Sequence, residues 1–300
     1  MGPKSAVFLG HSDCIYTMEY GPGPGVFFSS GADGQVVIWN VKNPEIGKLV
    51  ARTNGTVYAL CYIKTLNKLL IAVNNDGIHR IDLESGIEDW NYPTPGLNWF
   101  RMKQLKSKIF IAGSGGSFLS LDQDSMEIKS TKIGNSDLRA LSIKEDQNLI
   151  SVGNSLGEIY LINPDFSLSF SMPFAHQKTV FGLAFYPIST KMVSAGSDAK
   201  LTLWSIEEEN QIRKANSISA HLFGIHDVVV HPSKPILATA SMDKTIKIWD
   251  AESLKLLRVL DKSRHAGHGH SINQLLWLEE QELLLSCSDD RTISAWNIFE

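Results

Sequence analysis

No stretch of the 300 residues is long and apolar enough to read as a membrane span, and the apolar run within the opening MGPKSAVFLGH is too short for a signal-peptide core. Excess charge of one sign is also missing. A net charge of −4 gives no electrostatic reason to bind nucleic acid or an anionic membrane, so neither is expected as a partner. Cysteine is scarce: Cys14, Cys61 and Cys287 fall inside strand-like patterns with no framework spacing, and they read as buried thiols of a reducing, cytoplasmic compartment. Catalytic signatures are absent as well. There is no H-E-x-x-H and no G-x-S-x-G, and Gly113, Gly115 and Gly116 lack the Lys-Ser/Thr and helix of a phosphate loop, so a tight turn is expected there. Met1-Gly2 is set aside as a myristoylation signal because Ala6 stands where Ser or Thr is required, and the sequon Asn54-Gly55-Thr56 comes with no secretion signal.

What the chain does have is a repeat. Ser219 to Asp250 holds three β-branched runs, IHDVVV, ILATAS and TIKIWD, separated by HPSKP and MDK, which is the pattern of a β-meander. Inside it His221, Thr239, Asp243 and Trp249 have complementary donors and acceptors and can satisfy one another as a buried relay. Hydroxyl to Asp is four residues and Asp to Trp is six. The same offsets recur in Ser29, Asp33, Trp39 after His11, in Ser194, Asp198, Trp204 after His176, and in Ser286, Asp290, Trp296, to which His270 is assigned. Four copies of a Ser/Thr–His–Asp set tied to Trp are expected to be structural, not catalytic triads.

Aligned first strands begin at Ile15, Val57, Trp99, Leu138, Val180, Ile225 and Ile272, and third strands end at Trp39, Ile81, Leu121, Ile162, Trp204, Trp249 and Trp296, 40 to 47 residues apart. Four short strands in such a period is the arithmetic of a propeller blade. The chain resembles the seven-bladed WD-repeat β-propellers over nearly its whole length. Gly10-His11, Ala220-His221 and Gly269-His270 open units, while Trp39-Asn40, Trp204-Ser205, Trp249-Asp250 and Trp296-Asn297 close them. The expected fold is therefore all-β, a seven-bladed propeller of four-stranded antiparallel blades in a single domain, 1–300. Blades two to four replace the relay with apolar packing at Ile81, Leu121 and Ile162. Too few residues follow Trp296 for a fourth strand, so Lys4 to Leu9 is expected to complete the last blade and leave no open edge.

The resemblance implies a non-enzymatic, monomeric scaffold that needs no cofactor and binds an unidentified protein or peptide at one mouth of the channel. The candidate contacts are the second residues of the first strands, Tyr16, Tyr58, Phe100, Arg139, Phe181, His226 and Asn273. Aromatics and Arg dominate binding hot spots, yet these residues share side-chain parity with Met18, Leu60 and Met102 and equally fit the top of an inter-blade core. An alternative is a small-molecule or metal site, even a catalytic one, at the same mouth, with Arg139 and His226 as its ionisable groups. In KSRHAGHGH, His265, His268 and His270 have metal-ligand spacing, but the loop has no Cys or Asp and no metal is expected.

Overall fold

The computed structural model describes residues 4–299, and Met1-Gly2 lies outside them. Seven four-stranded sheets follow one another along the chain as antiparallel propeller blades. Their first strands start at the seven residues aligned above. In six blades the order across the sheet is the order along the chain. The seventh runs Lys4–Leu9, Thr292–Asn297, Leu283–Ser288, Ile272–Leu278, with Val7 opposite Ser294 and Phe8 opposite Ile293. The first strand of the chain thus covers the edge that Thr292–Asn297 would otherwise expose.

The second strand of each blade is buried along almost its whole length, because successive side chains point to opposite faces and both faces are covered. In Val26–Gly31, Phe27 packs with Phe8 and Trp39, whereas its neighbour Phe28 packs with Leu69, Ile71 and Ile81. In Lys191–Gly196, Met192 belongs with Leu149, Ile159 and Trp204, and Val193 with Leu237 and Trp249. Each such side chain stabilises the fold by about 1.5–3 kcal/mol relative to exposure. Outer strands read differently, as in Glu88–Pro93, where exposed and half-buried residues alternate.

Packing divides the chain into two compact units, residues 1–99 with 260–300, and residues 100–259. The first holds blades one, two and seven; the second holds blades three to six, apart from Trp99 and Leu260. Two local expectations are corrected. Cys14 lies just ahead of the strand Ile15–Tyr20 and is half-buried, not inside a strand. The loop KSRHAGHGH begins with one helical turn, Lys262–His265, because Asp261 caps it by accepting from the Arg264 N–H at 2.8 Å.

Candidate functional site

The four relays form with nearly identical geometry. The Trp indole N–H donates to the Ser or Thr hydroxyl at 2.8–2.9 Å. That hydroxyl in turn lies 2.7 Å from the His Nε2. His Nδ1 reaches the Asp carboxylate at 2.8–3.0 Å. An ionised carboxylate can only accept, so Nδ1 carries the proton that it takes; in that tautomer Nε2 accepts from the hydroxyl, one of whose lone pairs takes the indole N–H. The four hydroxyl residues are fully buried, which removes them as nucleophiles.

The fourth relay corrects the sequence assignment. Its histidine is His268, which meets Asp290 and Ser286, while His270 is exposed. The unit therefore opens with Gly267-His268. A signal for this was present: His11, His176 and His221 each precede their hydroxyl residue by 18, the |i−j| of His268 and Ser286. With both its nitrogens used in the relay, His268 is also unavailable to a metal alongside His265 and His270.

Each relay clamps one end of its blade, here called the His–Asp end. The carboxylate accepts from the backbone N–H after the histidine, at Ser12, Gln177, Leu222 and Gly269, so the loop before the first strand is tied to the turn between the second and third. Burial alone would raise these carboxyls, but histidine and backbone N–H donors outweigh it. Asp198 ends at about 2, and Asp33, Asp243 and Asp290 are lowered as well. His221 is lowered by burial, only partly offset by Asp243, which keeps it neutral. In blades two to four, Ile71 with Ile81, Ile111 with Leu121 and Val152 with Ile162 fill the hydroxyl and Trp positions, all buried, as the apolar replacement requires.

The candidate contact residues stand at this same end. In six blades the pairing of the first two strands slips by one residue at the second position of the first strand: Ile15 faces Gly31 and Thr17 faces Ser30, with Tyr16 as the extra residue. Tyr58, Arg139, Phe181, His226 and Asn273 are the extra residues of the other five. A bulge re-aims its side chain and breaks the alternation along the strand. The shared parity with Met18, Leu60 and Met102 is thus interrupted by the bulge where one is present, and Met18 is fully buried while Tyr16 is half-buried. Sequence alone does not show an unpaired residue. A hint lies opposite it in Gly31, where a Cβ would fall 1.9 Å from the Cys14 carbonyl oxygen.

Within the first unit, Tyr16 and Tyr58 stack with ring centroids 4.6 Å apart. Burial, then the neighbouring Tyr58 and Cys14, push the Tyr16 phenol well above its ordinary value. Asn273 Nδ2 donates to the Ile15 carbonyl and to Asp289, both at 2.8 Å, which steadies the start of the blade-one strand. Within the second unit, Phe100, Arg139, Phe181 and His226 form a continuous series. The Arg139 guanidinium lies 3.9 Å above the Phe100 ring and 5.7 Å from that of Phe181, and His226 meets Phe181 edge-on at 5.3 Å. Phe100 differs from the other six: at 5% exposure it offers its face to Arg139 rather than to solvent. Arg139 and His226, the ionisable pair of the small-molecule alternative, are both engaged with aromatic rings.

Comparison with known proteins follows the same divide between blades. The family described as WD domain, G-beta repeat matches residues 2–40, 168–205, 213–250 and 256–297. The matched stretches end one residue past each relay Trp and leave blades two and three, with most of blade four, outside. Over 97% of its length the chain is 28% identical to Transducin beta-like protein 3 of Rattus norvegicus, covering 40% of that protein. It is 39% identical to Transcriptional corepressor LEUNIG_HOMOLOG of Arabidopsis thaliana over 36% of this chain and 13% of that protein. It is 31% identical to Nuclear distribution protein PAC1 of Candida albicans over 38% of this chain and 23% of that protein. The chain thus spans well under half the length of these relatives. With four relays in place, seven blades formed and more than half of its residues matched, this chain belongs to the WD-repeat family of β-propellers.

Proposed function

We propose that the chain is a non-enzymatic scaffold that binds a protein or peptide segment at the His–Asp end of its blades, through Tyr16, Tyr58 and Asn273 in the first unit and Phe100, Arg139, Phe181 and His226 in the second. One observation carries this reading. In six blades the residue at this position is the extra residue of a β-bulge, half-buried, and four of those six are Tyr, Phe or Arg. Half-exposed rings with polar neighbours suit a partner's side chains better than a sealed core would. In blades one and five to seven the relays support it by fixing the loops on which the strands carrying Tyr16, Phe181, His226 and Asn273 begin, so little ordering is left there for binding to supply. Family membership and the corepressor and nuclear distribution proteins among the relatives agree with a scaffold in general terms. A cytoplasmic setting belongs to the same proposal, supported by three cysteines that form no disulfide among the described residues.

The test compares proteins recovered with the wild-type chain and with the combined variant Tyr16→Ala, Tyr58→Ala, Phe181→Ala. Loss of a specific partner with the melting temperature held within a few degrees supports the proposal. Equal recovery by both, or a variant that unfolds while its folded fraction binds normally, sends the rings back to a packing role.

A further inference from the structure

At the His–Asp end of the second unit, the loops of blades four to six are locked into one belt. The His176 N–H donates to the Gly157 carbonyl at 3.0 Å, Ser197 to Thr179 at 2.9 Å, Ala220 to Ala199 at 2.9 Å and Met242 to Gly224 at 3.0 Å. What the belt presents to water is one-sided. Phe174 is 89% exposed, Leu222 84%, Phe223 61% and Met242 47%. Its exposed charges are Lys178 and Lys244. The carboxylates in these loops are half-buried and already occupied: Asp137 accepts from the Gly115 N–H, Glu158 accepts from Asn154 and Tyr160, and Asp198 and Asp243 belong to relays. The opposite end of the same unit exposes Glu145, Asp146, Glu207, Glu208 and Glu252. A chain that is acidic as a whole therefore shows, on this belt, large apolar side chains and cations with no exposed anion among the described residues.

We propose that this belt binds a protein segment that carries carboxylates among bulky apolar residues. The inference rests on the reading of the His–Asp end as the binding face, and it adds the partner's chemistry and the loops that select it. Clustered apolar side chains in water mark an interaction site, and they provide the contact area. The two lysines favour an acidic partner and disfavour a basic one. Two lysines are too few for the other anionic surfaces: a lipid bilayer is held by clusters of about four to eight basic residues, and a nucleic acid by a comparable row of phosphate contacts.

A random dodecapeptide library on phage is panned against the full chain, and enriched peptides are measured by fluorescence polarisation at low and physiological salt. Phosphatidylserine vesicles and sedimentation of the chain alone run in parallel. The expected result is enrichment of peptides mixing Asp or Glu with Leu, Phe or Trp. Leu222→Ser with Phe223→Ser should weaken them about tenfold or more. Lys178→Glu with Lys244→Glu should weaken them at low salt and flatten the salt dependence, whereas Glu207→Lys with Glu208→Lys at the opposite end should leave them unchanged. Enrichment of basic peptides, no enrichment at all, vesicle binding through the same residues, or self-association abolished by the belt variants would each overturn the proposal. Peptides that lose affinity on Tyr16→Ala with Tyr58→Ala but ignore both belt pairs would overturn it while leaving the reading of the His–Asp end intact.

Discussion

At the residue scale the relay matters because it pairs every polar atom it buries. Changing Trp249 to Phe keeps most of the packing but takes the indole donor from Thr239, whose hydroxyl stays buried. The cost should be about 1–3 kcal/mol. Leu121→Val at the equivalent site of blade three removes one methylene from an apolar setting, for about 0.5–1.5 kcal/mol by analogy with Ile-to-Val changes. Urea denaturation should rank Trp249→Phe as the more damaging; the reverse order would show that the relay adds nothing to packing. The same logic separates two histidines that sit two positions apart. His268→Ala leaves Asp290 and Ser286 without their shared partner and should cost about 1–3 kcal/mol. His270→Ala, at an exposed position, should stay within about 0.5 kcal/mol of wild type. Equal losses in the two variants would argue against His268 as the relay member.

At the element scale the strand Lys4–Leu9 supplies an edge of hydrogen bonds and one large core residue. Phe8 meets Phe27 edge-on at 5.1 Å and Trp39 at 5.7 Å. Phe8→Ala should therefore cost about 3–5 kcal/mol, near the upper range for a single core truncation, and removing residues 1–9 should expose the edge of Thr292–Asn297 and promote association. A monomer with an unchanged melting temperature after that deletion would deny the strand its closing role. Blades also differ in how their ends are held. In blades five to seven a relay carboxylate ties each turn to the preceding loop, whereas in blades two to four no relay forms and apolar side chains fill the hydroxyl and Trp positions. Amide exchange should accordingly be faster in the His–Asp loops of blades two to four than in those of five to seven. Uniform protection would mean that apolar packing alone holds the loops equally well.

At the scale of the whole molecule the relays make stability depend on pH in two stages. His221 is held neutral by burial, below its ordinary 6.5, so the unfolded chain takes up a proton before the folded one. Its contribution is complete above pH 6.5 and declines as the pH falls below that value. The relay carboxylates are depressed. Asp198, ordinarily 3.8 and here about 2, contributes fully above 3.8 and loses its contribution as the pH falls toward 2. The melting temperature should drop gently from pH 6.5 and then steeply from pH 4. His221→Gln should flatten the first slope, and Asp198→Asn should blunt the second. A wild-type profile that is flat down to pH 4 would contradict the neutral His221.

The sequence by itself determined the number of blades, their strands and the closing strand, since these follow from local offsets and from a period that any seven-fold array must repeat. It also determined which blades carry relays, because a buried Trp–hydroxyl–His–Asp set needs all four residue types at fixed spacing. The choice between His268 and His270 as the partner of Asp290 was legible too, in the spacing of 18 residues that His268 shares with the other three relay histidines. The glycine-rich loop and the Gly269-His270 pair nonetheless pointed the assignment to His270 until the structure corrected it. The bulges, by contrast, only the tertiary structure decided. An extra residue is defined by what fails to pair with it across the sheet, and no strand pattern in one dimension records that. For the same reason the exposure of Phe174, Leu222, Phe223 and Met242 was not legible: an apolar residue in a sequence looks the same whether neighbouring loops cover it or leave it in water.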